Sequence, residues 1–191
     1  PFGYGLSYTT FAWEEPQMTL DDESLTVSVA VTNSGKIAGA DVVEIYVRPP
    51  YTGRMEKAKR VLAGFKKTRV LAAGETESVT LSIPLYTFAS YSTADAAYVL
   101  EAGEYGVEFA TDAHHAKETY AFTLPDEKRF CKDAGGAVKN RFAQYEGDFR
   151  RLSREDANAD VITGPTPEEL VAPTAIQNYT KRQKHLPLSI N

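Results

Sequence analysis

The chain has 191 residues, of which 42% are hydrophobic and 25% are charged, and its formal net charge is −5. This composition is typical of a globular protein, and the acidic balance argues against nucleic-acid binding, which requires a basic face. Apolar runs fall short of the ~18 residues that a membrane-spanning helix needs. The only cysteine, Cys131, forms neither an intrachain disulfide nor a cysteine zinc cluster.

The single thiol and the first residue bear on the origin of the chain. One unpaired cysteine favours a reducing compartment, so we expect a cytoplasmic, bacterial location rather than a secreted one. Because the first residue is Pro1 and not Met, we expect the chain to be a piece of a longer protein.

Alternating apolar and polar residues predict a series of short β-strands over residues 9–124. The clearest alternation runs from Leu25 to Val31 and ends at the turn Asn33–Gly35. Further strands are predicted at 42–47, 60–65, 67–71, 79–83, 98–101, 105–109 and 120–124, with turns between them. Short strands separated by turn residues are typical of an antiparallel β-sandwich.

Residues 125–191 lack this alternation. Leu124–Pro125 is the predicted boundary, because proline cannot continue a sheet ladder. One apolar helical face is predicted from the spacing of Val138, Phe142, Tyr145 and Phe149. Thr166–Glu169 has the residues of a helix start. We therefore expect an arm with short helices, rather than a second domain.

The first eleven residues, PFGYGLSYTTF, closely resemble a motif of family 3 glycoside hydrolases. In that family the motif leads from an α/β domain into a fibronectin type III-like domain. Further segments resemble that domain in the same order, which makes the resemblance specific. They are Val29–Gly35 followed by Gly39–Val47, then Lys59–Phe65, Ala73–Thr76 and Glu101–Tyr105.

The resemblance implies an all-β chain, with an immunoglobulin or fibronectin type III-like antiparallel β-sandwich and a partly helical C-terminal extension. Residues 1–8 would be the linker from the preceding α/β domain, 9–124 the sandwich and 125–191 the connecting arm. Three short segments, Asn140–Phe142, Gly147–Asp148 and Leu152–Arg154, are similar to family members in which a (β/α)₈ barrel follows.

The resemblance also implies a parent enzyme of β-glucosidase type. Such enzymes hydrolyse terminal β-glycosidic bonds with retention, using an Asp nucleophile and a Glu acid/base. This chain has neither the family's Ser-Asp-Trp-type motif nor a barrel segment, and its only tryptophan, Trp13, lies between Ala12 and Glu14. We therefore expect no catalytic residue, no cofactor and no metal site here.

The predicted role is that of a non-catalytic accessory domain. Its partners would be the catalytic domains of the same parent chain, and a β-glycoside substrate would meet it only through that parent. An independent carbohydrate-binding or adhesion module is the alternative. Neither interpretation involves nucleic acid or a membrane. The candidate interdomain or substrate-proximal residues are Phe2, Tyr4, Tyr8, Tyr51, Arg54 and Lys57.

Other candidate sites have simpler structural interpretations. Acidic pairs such as Glu14/Glu15 and Glu75/Glu77 are expected to be solvated carboxylates. His114 and His115 would point to opposite faces of a strand, so that shared metal ligation with Asp112 is not expected. The glycines at positions 3 and 5 lack the strand–loop–helix context of a phosphate-binding loop.

A basic stretch and a set of aromatic residues each have two possible interpretations. The basic stretch from Arg54 to Arg69 is either a solvated loop and protected edge strand or a surface that docks to an acidic face of the catalytic domain. The aromatic residues Tyr86, Phe88, Tyr91 and Tyr98 are either core and interdomain packing groups or a sugar-stacking surface.

Overall fold

The structure is a computed structural model that describes residues 1–130 and 153–154. The chain divides into two units, Pro1–Arg150 and Arg151–Asn191, and the fold described here belongs to the first. The predicted helical face around Phe142 and the predicted helix start at Thr166 lie outside the described residues.

The first sheet is built around the strand with the clearest alternation. It contains β1 (Phe11–Trp13), β2 (Gln17–Leu20), β3 (Ser24–Asn33) and β6 (Thr76–Pro84), all antiparallel. β6 pairs along one edge of β3, while β1 and β2 share the other edge. Pro16 lies between β1 and β2, and its missing N–H interrupts the ladder there.

The second sheet has the order β10-β9-β4-β5 and is also antiparallel. Its strands are β4 (Val42–Arg48), β5 (Val61–Lys67), β9 (Gly103–Asp112) and β10 (His115–Leu124). A third, three-stranded sheet has the order β11-β8-β7 and follows a 3₁₀ helix at Leu85–Phe88. Its strands are β7 (Ser90–Ser92), β8 (Ala97–Leu100) and β11 (Lys128–Phe130).

The hydrophobic core lies between the two four-stranded sheets. Alternate residues of each strand point inward, which buries one face of each sheet against the other. The core includes Leu25, Val27, Val29 and Val31 of β3, Val79 and Ile83 of β6, Val43, Ile45 and Val47 of β4, and Tyr105, Val107 and Phe109 of β9. The predicted all-β antiparallel sandwich is confirmed.

Tyr105 provides a feature that is typical of immunoglobulin-like sandwiches. Its ring is buried and stacks on Phe122 with a centroid distance of 5.2 Å. Its hydroxyl donates a hydrogen bond of 2.9 Å to the carbonyl oxygen of Glu101, four residues upstream. This arrangement is the tyrosine corner, which fixes the connection that enters the strand.

The strands extend beyond the predicted boundary at Leu124–Pro125. Lys128–Phe130 forms β11 and pairs with Leu100, Val99 and Tyr98 of β8. Periodicity did not predict β11, β7, β1 or β2, because three or four residues are too few to show an alternation. Of the strand predicted at 67–71, Lys67 is the last residue of β5 and Leu71 forms an isolated bridge with Gly39.

Candidate functional site

The N-terminal segment, which sequence analysis treats as a linker, lies on the sandwich. Pro1 to Tyr4 forms a turn, in which Tyr4 N donates to Pro1 O at 3.2 Å and Gly3 has a φ of 75°. Glycine adopts this positive φ without steric cost because it has no Cβ. The backbone N–H of Ala113 donates to Phe2 O at 2.9 Å, and the Phe2 ring meets Phe65 edge-on at 5.7 Å.

A buried glutamate lies directly beneath this turn. Glu44 is on β4, on the face of the sheet opposite the core, yet only 1% of it is exposed. Its Oε2 accepts a hydrogen bond of 2.9 Å from the hydroxyl of Tyr46. Its Oε1 is buried and has no hydrogen-bond partner among the described residues. A Cβ added to Gly3 would overlap this carboxyl group, so that either the turn or the Glu44 side chain would have to move.

The surroundings of Glu44 favour its neutral form. Burial is the main cause that raises the pKa of the Glu44 carboxyl, the hydrogen bond from Tyr46 partly opposes it, and the nearby negative charge of Asp112 adds to it. The same environment, again mainly through burial, raises the pKa of the Tyr46 hydroxyl to about 12. The carboxyl and the phenol therefore form a hydrogen-bonded pair that is shielded from water.

Arg60 crosses the same face, but its charge pairs with a different carboxylate. Its Nη2 lies 2.7 Å from Oε2 of Glu108, and Arg48 Nε lies 3.0 Å from Oε1 of that residue. The Arg60 guanidinium also lies 4.2 Å from the ring centre of Tyr46 and donates to Ala113 O at 2.9 Å. Arg60 therefore ties β5 to the β9–β10 turn that holds Phe2.

The β9–β10 turn is itself organised by Asp112. The carboxylate accepts hydrogen bonds from the backbone N–H of His114 at 2.8 Å and of His115 at 3.1 Å, and it contacts His115 Nδ1 at 2.7 Å. The bond from His114 is the main cause that lowers the pKa of the Asp112 carboxyl. In the described part of the chain no group of three His, Cys, Asp or Glu could hold a metal ion.

A second anchor holds the far end of the N-terminal segment. The amide nitrogen of Asn33, a fully buried residue, donates at 2.8 Å to the carbonyl oxygens of Ile37 and Leu71. Its side-chain oxygen accepts from Thr9 Oγ1 at 2.7 Å and from Gly35 N at 3.1 Å. Asn33 thus fixes the point where the segment enters β1.

Between the two anchors, large apolar side chains point away from the sandwich. Tyr4 is 62% exposed, and Leu6 and Tyr8 are both 95% exposed. We call Phe2, Tyr4, Leu6 and Tyr8 the N-terminal apolar surface. Phe2, Tyr4 and Tyr8 are three of the residues that the sequence predicts to be interdomain or substrate-proximal, and Leu6 lies among them.

The other three candidate residues belong to the loop that joins β4 to β5. Lys57 is buried and forms an ion pair with Glu101, whose other oxygen accepts from Thr52 at 2.7 Å. Arg54 forms ion pairs with Asp95, at 2.9 Å, and with Glu127. Lys57 and Arg54 therefore hold the loop onto the third sheet, while Tyr51 is half-buried. Substrate proximity of this loop stays a prediction.

Part of the basic stretch forms ion pairs within the domain. The ion pairs just described account for Arg54, Lys57 and Arg60. Lys66 donates to the carbonyl oxygen of Thr80 at 3.2 Å, and Arg69 pairs with Glu75 at 2.6 Å and with Glu77. The acidic pair Glu75/Glu77 thus has a structural partner on the neighbouring strand connection. Lys59, Lys66 and Lys67 are exposed, and docking of this stretch to an acidic face stays a prediction.

The candidate sugar-stacking aromatics pack edge-on against one another. Tyr86 meets Tyr98 at 5.1 Å with an interplanar angle of 65°, and meets Phe130 at 5.6 Å with an angle of 81°. Phe88 is buried in the core. A sugar ring stacks on an aromatic face, and rings that point their edges at each other's faces do not form a flat platform.

The sequence did not point to a role for the three buried glutamates, Glu44, Glu101 and Glu108. A signal for Glu44 was present, since it is the one charged residue inside the apolar run 42–47. Glu101 directly follows the predicted strand Tyr98–Leu100, and nothing in the sequence indicated its partner Lys57. Among the described residues, no helix is long and apolar enough to cross a membrane.

Comparison with known proteins adds the family context. Residues 41–113 match the family model of the fibronectin type III-like domain. A β-glucosidase of Ruminococcus albus is 42% identical over 133 residues, which cover 67% of this chain and 14% of that enzyme. The chain therefore spans about one-seventh of the length of that curated relative.

Solved structures agree with the sequence relatives. β-Glucosidase 3B of Thermotoga neapolitana, solved in complex with glucose, is 39% identical with a TM-score of 0.63, and the match covers 68% of this chain and 18% of that one. The β-glucosidase of Kluyveromyces marxianus in complex with glucose is 30% identical with a TM-score of 0.64, covering 68% and 16% respectively.

Proposed function

Because this chain contains a fibronectin type III-like domain and its relatives are family 3 β-glucosidases, we propose that it is the non-catalytic accessory domain of a retaining β-glucosidase-type enzyme. It docks to the catalytic domains of the same parent chain and contributes no catalytic group. The observation that carries this proposal is the N-terminal apolar surface, which is anchored at both ends and left exposed.

The anchoring makes this surface suitable for docking. The Gly3 contact with Glu44 fixes the start of the segment, and the Asn33 junction fixes its end at Thr9. Holding a segment in place before association lowers the entropic cost of binding. Burying one large apolar side chain contributes about 1.5–3 kcal/mol, so that Leu6 and Tyr8 alone offer a substantial gain.

The buried carboxylates support a structural role for the domain. Retaining glycosidases use two carboxyl groups about 5–5.5 Å apart, flanking the scissile bond. Here Glu101 is paired with Lys57, and Glu108 is paired with Arg60 and Arg48. Glu44 is covered by the N-terminal turn. In the described part of the chain, these groups hold loops and strands together and do not face an open cleft.

An activity assay tests the non-catalytic part of the proposal. The 191-residue chain and the full-length parent are assayed side by side with an aryl β-glucoside. We expect turnover from the parent only. Turnover that copurifies with the 191-residue chain would contradict the proposal. Calorimetry with cello-oligosaccharides tests the alternative binding module, for which we expect no saturable binding.

A pair of substitutions tests the docking surface. In the full-length parent, Leu6→Ser combined with Tyr8→Ser should lower the melting temperature of the catalytic domains by several degrees, because the apolar contact is lost. The matched control is Ile37→Ser combined with Val70→Ser, which alters two other exposed apolar residues of the domain. If both pairs of substitutions lowered the melting temperature equally, the N-terminal apolar surface would not be the docking surface.

A further inference from the structure

Glu44 is enclosed by the N-terminal turn and by the two neighbouring strands, β5 and β9. Gly3 covers the carboxyl group from above, and Phe65 of β5 and Ala110 of β9 lie directly opposite Glu44 in the two flanking ladders. Oε2 has one hydrogen bond, from Tyr46, and Oε1 has none among the described residues. A buried carboxylate oxygen without a donor or water carries a large desolvation cost, whereas a neutral carboxylic acid carries much less.

The charged groups near Glu44 do not remove this cost. Tyr46 is on the same strand and donates only one bond. Asp112 on β9 is negative and opposes ionisation, while Arg60, directly before β5, is positive and favours it. Arg60, however, is already paired with Glu108. The turn that covers Glu44 consists of Pro1, Phe2, Gly3 and Tyr4, whose side chains are not cationic. Its positive group in the 191-residue chain is the α-ammonium of Pro1, whereas the charges that act on the pKa of Glu44 are those of Asp112 and Arg60.

We infer that Glu44 is a protonation-dependent clasp, which holds the N-terminal turn on the sandwich as a neutral acid and releases it more readily as a carboxylate. This inference concerns contacts within the described chain and goes beyond the proposed accessory function. When the turn lifts away, water reaches the carboxyl group and the cost of ionisation falls.

The direction of the pH dependence follows from linkage. The closed turn raises the pKa of the Glu44 carboxyl, chiefly through burial, and an open turn returns it toward its ordinary value. A group with a raised pKa in the closed state stabilises that state at low pH, and this stabilisation is lost as pH rises through the raised pKa. The turn is therefore held more firmly in mild acid than at neutral pH.

Hydrogen exchange at Ala113 reports on the clasp directly, because its N–H is bonded to Phe2 O. The 191-residue chain is measured from pH 5 to pH 7, and each rate is expressed as a protection factor to remove the intrinsic pH dependence. We expect protection of Ala113 to be about threefold or more higher at pH 5 than at pH 7. In Glu44→Gln, which is neutral at every pH, we expect high protection that does not change with pH.

A matched variant separates Glu44 from other titrating groups. Glu104→Gln removes an exposed carboxylate from the same sheet and should retain the wild-type pH dependence. His114 and His115 remain in every variant, so a pH dependence that persists in Glu44→Gln would assign the effect to them and overturn the inference.

If Glu44→Gln fails to fold, a direct titration of the Glu44 carboxyl group tests the inference instead. Carbon-13 NMR of the Glu44 carboxyl group should show a titration above the ordinary range in the wild-type chain. Gly3→Ala should separate the turn from the carboxyl group, because the added Cβ overlaps that group and the positive φ is strained for alanine. The titration should then return toward the ordinary range. Titration of Glu44 at or below its ordinary pKa in the wild-type chain would also overturn the inference.

Discussion

Glu44 and Glu101 are equally buried glutamates in two regions of one domain, yet their environments favour opposite charge states. Glu101 is 5% exposed and Glu44 is 1% exposed. Burial opposes ionisation of Glu101, but hydrogen bonds from Lys57 and Thr52 outweigh it and lower the pKa of the Glu101 carboxyl. At Glu44, burial is opposed by little more than one phenol, so that the pKa of that carboxyl is raised.

The difference shows that burial alone does not determine the charge of a carboxyl group. The number and charge of its donors decide whether the desolvation cost is repaid. The Glu101 region therefore holds the β4–β5 loop most firmly at neutral pH, while the Glu44 region holds the N-terminal turn most firmly in mild acid. Four substitutions test this contrast.

Lys57→Met should have the largest effect, because it leaves the Glu101 carboxylate buried without its cation. Breaking a buried ion pair on one side costs about 3–5 kcal/mol in the free energy of unfolding. Urea unfolding at pH 7 measures this loss, with fluorescence of the only tryptophan, Trp13, as the signal. Lys59→Met, at an exposed lysine of the same loop, is the control. Equal losses in both variants would show that the ion pair between Lys57 and Glu101 is not the source of the lost stability.

Asn33→Ala supplies an uncharged reference for the two glutamates. The substitution removes the side-chain donor to the carbonyl oxygens of Ile37 and Leu71, of which the Leu71 oxygen keeps its bond from Gly39 N, and it releases Thr9. We expect a loss of about 3 kcal/mol in the free energy of unfolding. Because an amide does not titrate, the loss should be the same at pH 5 and pH 7. Thr32→Ala, which removes an exposed hydrogen bond to Thr76, should cost much less.

Glu101→Gln sharpens the comparison by removing the charge and keeping the shape. Lys57 then lacks its counter-ion, and we expect a loss of about 2 kcal/mol at pH 7. The lowered pKa means that ionised Glu101 stabilises the fold above its ordinary pKa, and that this contribution disappears as pH falls through the lowered value. The difference between variant and wild type should therefore shrink in acid. A constant difference would show that charge is not its source.

Glu44→Gln should have the smallest effect and the opposite sign. At pH 7 the variant avoids a buried carboxylate with an unpartnered oxygen, and we expect the free energy of unfolding to rise by about 1 kcal/mol. The gain should vanish in acid, where wild-type Glu44 is itself neutral. Urea titrations of both proteins at pH 7 and pH 4.5 provide the measurement. Destabilisation at pH 7 would indicate that the carboxylate has a donor.

The candidate residues were predictable to different degrees. Phe2, Tyr4 and Tyr8 were identifiable because large apolar groups were concentrated in a short segment with no alternation of its own, and the structure leaves all three exposed. Lys57 resembled the other lysines of a basic stretch, since a sequence does not show which carboxylate lies near which cation. Its partner Glu101 is 44 residues away.

The sequence by itself determined the sandwich. The alternation in Leu25–Val31, Val79–Ile83 and Tyr105–Phe109 specifies which face of each strand is buried, because side chains alternate with a period of two. Tertiary structure alone decided how the polar groups are paired. Asn33 bonds to Leu71, and Gly3 covers Glu44, through contacts between segments distant in the chain. Those contacts set the desolvation and the donors of each buried group, and thereby its charge.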